Sequence, residues 1–269
     1  MLKQRLMTAA VLILIALAVL FYLPPPAFCI LTAFISLAAA YEYTSLMGVA
    51  RVSSRILCLI AMCFVLLNTL MIPILVILAV GCAWWVLALC LVVTYRQGAM
   101  RWLNSVWLRG LMGVMVIVPC WAALNYIRNQ NDGIYALLFL LILVFGADST
   151  AYFVGKQWGW TKLAPTVSPG KSVQGVIGAV FFSIIVTVVV LLFSRVSAAG
   201  WFWALALSIV TVLFSIVGDL FESVLKRHAG LKDSGQLLPG HGGILDRIDS
   251  LTAGAPMFAF GAMLLGIYL

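Results

Sequence analysis

Charge is what this sequence has least of. Only 9% of its 269 residues are charged, against about a quarter in ordinary soluble domains, which excludes a globular cytosolic enzyme. Acids are scarcer than bases: eight Asp and Glu stand against 16 Lys and Arg, for a formal net charge of +8. That surplus would point to nucleic acid only if the bases clustered on a soluble face. They are instead spread singly and in pairs between apolar runs, so no nucleic-acid partner is expected. The six cysteines (Cys29, Cys58, Cys63, Cys82, Cys90 and Cys120) lie in apolar stretches of the first half, without CxxC spacing or a neighbouring histidine. This excludes a zinc site of the usual spacing and predicts small buried hydrophobes. There is no internal repeat, and none of the alternating ten-residue strands of a membrane barrel.

What the chain does have is apolarity: 65% hydrophobic residues and a mean hydropathy of +1.17. About nine membrane-crossing helices of about 20 residues need about 180 apolar-dominated positions, and 65% of 269 is about 175. The fold class is therefore all-α, a polytopic integral membrane protein with about nine transmembrane helices. Runs bounded by charges, Pro and Gly place the spans near 7–23, 28–48, 56–72, 74–95, 111–127, 134–155, 175–194, 200–226 and 251–268. A turn at Pro73 divides a 40-residue run too long for one crossing. The first span follows Lys3 and Arg5 and has no small-residue cleavage site, so it reads as retained rather than as a signal peptide.

Cytoplasmic loops carry the excess of Lys and Arg. With the N-terminus inside, Lys3, Arg5, Arg51, Arg55, Arg96, Arg101, Arg109, Lys156, Lys162, Lys171, Lys226, Arg227, Lys232 and Arg247 fall on the cytoplasmic side, leaving Arg128 and Arg195 outside. The acids distribute differently. Before position 148 there are only Glu42 and Asp132, and then come Asp148, Asp219, Glu222, Asp233, Asp246 and Asp249. We therefore divide the chain into an N-terminal transmembrane scaffold, 1–110, of about four helices, and a C-terminal catalytic transmembrane region, 111–269, of about five.

Three segments carry the polar residues. At the end of the eighth span, Asp219, Glu222, Ser223 and Lys226 recur at i, i+3, i+4 and i+7 and share one helix face. Carboxylates inside a span are costly enough to need a partner or an ion. Residues 230–249 then form the one long polar, Gly-rich stretch. Gly240, Gly242 and Gly243 let backbone N–H groups approach phosphate oxygens. Asp246 and Asp249 can present carboxylates to a hard divalent cation, while Lys226, Arg227, Lys232 and Arg247 can neutralise polyphosphate. The third segment ends the sixth span: Gly146-Ala147-Asp148-Ser149-Thr150-Ala151-Tyr152-Phe153-Val154-Gly155-Lys156, with Asp148 and Tyr152 one turn apart. The Gly170-Lys171-Ser172 that follows is not a P-loop, because the first glycine of GxxxxGK[ST] would fall at Pro165 and no strand precedes it. Lys171, just before the seventh span, is a candidate anion-binding residue.

These residues resemble the bacterial phosphatidate cytidylyltransferases, also called CDP-diacylglycerol synthases. The match covers essentially the whole chain. Its specific part is the pattern S-x-L-K-R-x4-K-D-x-G-x2-L-P-x-H-G-G-I-x-D-R-I-D, met without a gap from Ser223 to Asp249, together with the 146–156 segment and Ser168-Pro169-Gly170-Lys171-Ser172. The resemblance implies conversion of CTP and phosphatidic acid to CDP-diacylglycerol and pyrophosphate. Asp219 and Asp246 would then be metal carboxylates assisted by Asp249, with Mg2+ as cofactor and room for a second cation such as K+. Lys226 and Arg247 would join the two aspartates in catalysis. Asp148, Tyr152, Ser168, Lys171, Ser223, Arg227, Lys232, Asp233, His241, Gly242 and Gly243 would bind substrate, with His241 positioning rather than acting as a base. It also implies a bacterial inner-membrane location with the site on the cytoplasmic side, a lipid-bilayer setting and room for a homodimer. Two other readings compete: a CTP-dependent polyprenol or phytol kinase, and an ion-coupled transporter.

Overall fold

A computed structural model of the chain describes residues 2–95, 101–194, 197–235 and 242–266. Among these are nine α-helices: α1 Leu2–Tyr22, α2 Pro25–Leu46, α3 Val52–Thr69, α4 Ile74–Val93, α5 Val106–Arg128, α6 Gly133–Trp158, α7 Val173–Phe193, α8 Ala198–His228 and α9 Leu245–Leu265. Helices α2 to α9 each have the length and apolarity to cross a membrane. The all-α, polytopic expectation holds. The division at Pro73 holds as well: α3 stops at Thr69, and Pro73 stands immediately before α4, where a residue without an N–H costs no helical hydrogen bond.

Two features depart from the apolar-run reading. Helices α5 and α9 begin five or six residues earlier than expected, at Val106 and Leu245 rather than 111 and 251. Charges in the opening turns, Arg109 in α5 and Asp246 with Arg247 in α9, hide those turns from a hydropathy criterion. At α5 Ser105 accepts the Leu108 N–H, which satisfies one orphan donor. Asp246, Arg247 and Asp249 therefore stand on the first turns of α9 and not in a loop. The second departure is a small antiparallel hairpin, β1 Lys162–Ala164 with β2 Ser168–Ser172, in a segment read as loop. Pro165 and Thr166 form its turn, closed by Val167 N–H on the Ala164 carbonyl.

Small residues decide how closely the helices pack, as expected where lipid supplies no hydrophobic drive between them. A Cβ at Gly81 would lie 2.5 Å from Pro119 Cβ, and one at Gly113 would lie 2.5 Å from the Tyr43 ring, so α4 meets α5 and α5 meets α2 at near-backbone distance. Pro119 and Pro256 lie within α5 and α9 without ending them. Pro256 deprives the Thr252 carbonyl of its helical donor, and the Trp85 indole N–H from α4 fills that place at 3.1 Å, the kind of rescue that makes proline tolerable in a membrane helix. Trp84 and Trp85 both set their rings edge-on against Phe221 of α8. Hydroxyls buried in the spans, such as Thr187, Ser208 and Thr211, donate to carbonyls four residues back. Phe181, Phe193, Phe202 and Trp107 lie exposed on the outer surface, as lipid-facing side chains do.

Candidate active site

Most of the described site candidates gather at one end, where the C-terminal halves of α2, α6 and α8 meet the hairpin and the start of α9. The approach of α8 to α9 sets the geometry. A Cβ on Gly218 would lie 2.5 Å from the Asp249 carbonyl, so only glycine lets the turn carrying Asp219 pack on the turn carrying Asp249. Asp249 Oδ1 accepts the Ser250 N–H at 2.8 Å.

The hairpin delivers a lysine to this crossing. Lys171 Nζ lies 2.6 Å from Asp219 Oδ2, with both side chains about a quarter exposed, and Ser223 Oγ reaches Asp219 Oδ1 at 3.4 Å. Asp148 of α6 lies within electrostatic reach of Lys171 and Asp219 and beside Ser250. The hairpin is itself held at both ends, and Thr161 before it bonds Val173 and Gln174 of α7. Ser172 caps α7 by accepting the Gly175 N–H, in a spot where added Cβ atoms at Gly155 or Gly159 would strike its hydroxyl. Arg227 Nε donates to the Val167 carbonyl at 3.2 Å. Gly155 and Gly175 thus serve a close crossing of α6 with the end of the hairpin and the start of α7, Gly146 packs against Phe182 of α7, and a side chain at Gly170 would meet nothing.

One helical turn along α8, Lys226 bridges two acids: Asp246 Oδ1 at 2.8 Å and Glu222 Oε1 at 3.1 Å. Asp246 also accepts the backbone N–H groups of Ser234 and Gly243. Gly242 takes a left-handed conformation, φ +78°, which glycine adopts without strain and which brings the Gly243 N–H onto that carboxylate. Lys226 and Arg227 lie at a helix C-terminus and Asp246 at a helix N-terminus, the favourable ends for their charges.

The structure therefore brings together Asp148, Lys171, Asp219, Ser223, Lys226, Asp246 and Asp249. Arg227 and Ser168 serve the hairpin beside them, and Gly242 and Gly243 the turn. Arg247, Lys232 and Asp233 lie exposed around the rim. Tyr152 is not part of the cluster: it is 63% exposed and packs edge-on with Phe153. His241 lies outside the described residues. Glu222, which the sequence places on the Asp219 helix face without a role of its own, and Glu42, not a site candidate from sequence, belong here. Glu42, in α2, is 3% exposed and accepts from Ser234 Oγ and Leu245 N–H. A lone carboxylate in a span otherwise without acids was the signal that could have found it.

Six carboxylates (Glu42, Asp148, Asp219, Glu222, Asp246 and Asp249) outnumber the four neighbouring cations Lys171, Lys226, Arg227 and Arg247. A buried surplus of hard oxygen donors suits a hard divalent cation. No three of these side chains form a ready metal cage among the described residues, so an ion would take one or two carboxylates and complete its shell with water and phosphate oxygens. Mg2+ is ordinarily bound in that way.

Fold and site together define a polytopic membrane protein with one charged, glycine-backed end suited to phosphate chemistry. The chain belongs to the cytidylyltransferase family, whose profile matches residues 3–265. It is 40% identical over 261 residues to a phosphatidate cytidylyltransferase of Pseudomonas aeruginosa, covering 96% of each chain. It is 36% identical over 287 residues to the enzyme of that name from Haemophilus influenzae, covering 97% of this chain and 98% of the relative. A Staphylococcus saprophyticus phosphatidate cytidylyltransferase matches at 33% over 192 residues, 62% of this chain and 74% of the relative.

Proposed function

We infer that this chain is a phosphatidate cytidylyltransferase, joining the α-phosphate of CTP to the phosphate of phosphatidic acid and releasing pyrophosphate. The observation that carries the reading is the meeting of Lys171–Asp219 with Glu222–Lys226–Asp246 where α7, α8 and α9 converge, in a chain similar end to end to enzymes of that name.

A lipid phosphate monoester is already a nucleophile at neutral pH, so the site has no need of a Ser–His base. Its task is to hold attacking oxygen, α-phosphorus and leaving pyrophosphate in line and to offset their charge. Asp219 and Asp246 would supply the one or two carboxylates to Mg2+, with Asp249 assisting from outside its direct shell, and a K+ ion is a second candidate beside it. When bound, the divalent ion supplies charge neutralisation on the phosphates and the leaving group. Lys171 swings between Asp219 and the nucleotide phosphates. Lys226 orients Asp246 and Glu222, while Arg227, Lys232 and Arg247 at the rim draw in the anionic headgroup and triphosphate. The lipid's acyl chains stay in the bilayer. An apolar groove between α4 and α5, lined by Val80, Trp84, Leu87, Leu91, Leu108 and Met112, lies beside this end through the Trp84–Phe221 contact. The site faces the cytoplasm, where CTP is found, and the membrane is the bacterial inner one.

Purified protein in detergent, given labelled CTP, phosphatidic acid and Mg2+, is expected to form CDP-diacylglycerol and pyrophosphate and to stop on chelation. CDP with a phosphorylated isoprenoid lipid would transfer the reading to a lipid kinase, and absence of both products would overturn it.

A further inference from the structure

Glu42 is the sole acid among the first 131 residues, in a helix otherwise made of apolar and small polar side chains. It is almost wholly buried. Burying a carboxylate costs several kcal/mol unless hydrogen bonds compensate, and a leucine would fill the volume without that cost. What the acid does here is specific. Its Oε2 accepts the backbone N–H of Leu245, 203 residues away, at 2.9 Å, and the Ser234 hydroxyl at 3.3 Å. Ser234 stands shortly after the end of α8, and Leu245 opens α9. From the other side Asp246 takes the Ser234 N–H at 3.0 and 3.1 Å and the Gly243 N–H at 2.8 Å. Ser234 thus spans the two carboxylates, with its hydroxyl on Glu42 and its N–H on Asp246. Side chains at Gly235 or Gly243 would collide with the Glu42 carboxylate, so both glycines are required by this contact as well as by any approach of phosphate.

We propose that Glu42 is a positioning residue for the reaction: from the N-terminal half it clasps Ser234, just beyond α8, together with Leu245, the first residue of α9, and so fixes Asp246 for its work on the phosphates. Loss of the clasp frees the Leu245 N–H and the Ser234 hydroxyl together and lets Asp246 drift. A misplacement of about 1 Å can cost about 10²-fold in rate. The proposal rests on the activity inferred above. A wild-type chain that makes no CDP-diacylglycerol defeats that activity, whereas an active wild type indifferent to Glu42 defeats only the clasp.

The test is a double-mutant cycle in purified protein, with steady-state kinetics for both substrates. Glu42→Ala is expected to lower kcat at least about 10-fold with both KM values within about threefold, the pattern of an interaction that acts on turnover. Glu42→Gln keeps an oxygen to accept from Leu245 and Ser234 and is expected to stay within about fivefold of wild type. Glu42→Ala/Ser234→Ala is expected to fall no lower than Glu42→Ala alone, because both changes break one link. Wild-type turnover in Glu42→Ala, a glutamine variant as poor as the alanine variant, or losses that multiply in the double variant would each overturn the proposal. Should Glu42→Ala fail to extract folded, Glu42→Leu replaces it in the cycle, and the glutamine variant still decides between hydrogen-bond acceptance and a need for the charge itself.

Discussion

Asp219 and Asp246 look equivalent in the sequence, since both are acids flanking a basic, Gly-rich stretch, yet their surroundings divide their work. Asp219 meets a lysine from the hairpin and a weakly placed serine hydroxyl, leaving oxygen lone pairs for an ion or a phosphate-bound water. Asp246 is already enclosed by Lys226 and two backbone N–H groups and acts from a fixed position. Both Asp219→Asn and Asp246→Asn are expected to lower turnover at least about 10²-fold, roughly 2.7 kcal/mol of barrier. They should part company in metal response. Raising Mg2+ should recover some activity in Asp219→Asn, where affinity for the ion is weakened, and none in Asp246→Asn, where the loop is misplaced as well. Near-normal turnover of either variant at saturating Mg2+ would remove it from the metal assignment.

Whole elements enter the site through glycine. The α8–α9 crossing at Gly218 is the clearest case, because the Asp249 carbonyl occupies the space a side chain would need. Gly218→Val is expected to push the two helices apart and cost about 1–3 kcal/mol by overpacking. A Tm in detergent lowered by several degrees, with activity at least about tenfold down, is the expected reading. An unchanged Tm would show that α9 can slide without penalty. The hairpin is the other decisive element. Nothing in the apolar pattern marks 162–172 as strand, because five-residue strands with Pro and Gly carry little periodic signal. The strand pairing, the Arg227 tie, the capping of α7 by Ser172 and the Thr161 contacts with Val173 and Gln174 together place Lys171 against Asp219.

At the scale of the molecule, the distribution of Lys and Arg predicts that the polar end lies in the cytoplasm, the orientation proposed above. In a functional background with the six native cysteines replaced, a cysteine at Asn131, in the exposed turn between α5 and α6, is expected to react with an impermeant thiol reagent added to intact cells. A cysteine at Thr166, exposed at the hairpin turn, is expected to react only after permeabilisation. The reverse pattern would overturn the orientation and leave the site without access to cytoplasmic CTP. All six native cysteines are free thiols in the structure, so no disulfide is lost in that background.

The helices, their approximate ends and the turn at Pro73 were written in the sequence alone, because hydropathy and the missing N–H of proline act residue by residue and need no knowledge of neighbours. So was the cluster of reactive residues after position 146, since costly polar groups stand out in an apolar chain. The tertiary structure alone decided who partners whom. Lys171 reaches Asp219, Lys226 joins Glu222 to Asp246, and Glu42 leaves the scaffold half to hold a segment some 200 residues on. The physical reason is one of range: a side-chain pair exists only when helix packing brings two backbones within reach. That packing is set by glycines at crossings such as Gly81, Gly113 and Gly218, whose contacts are not encoded in any local stretch of residues.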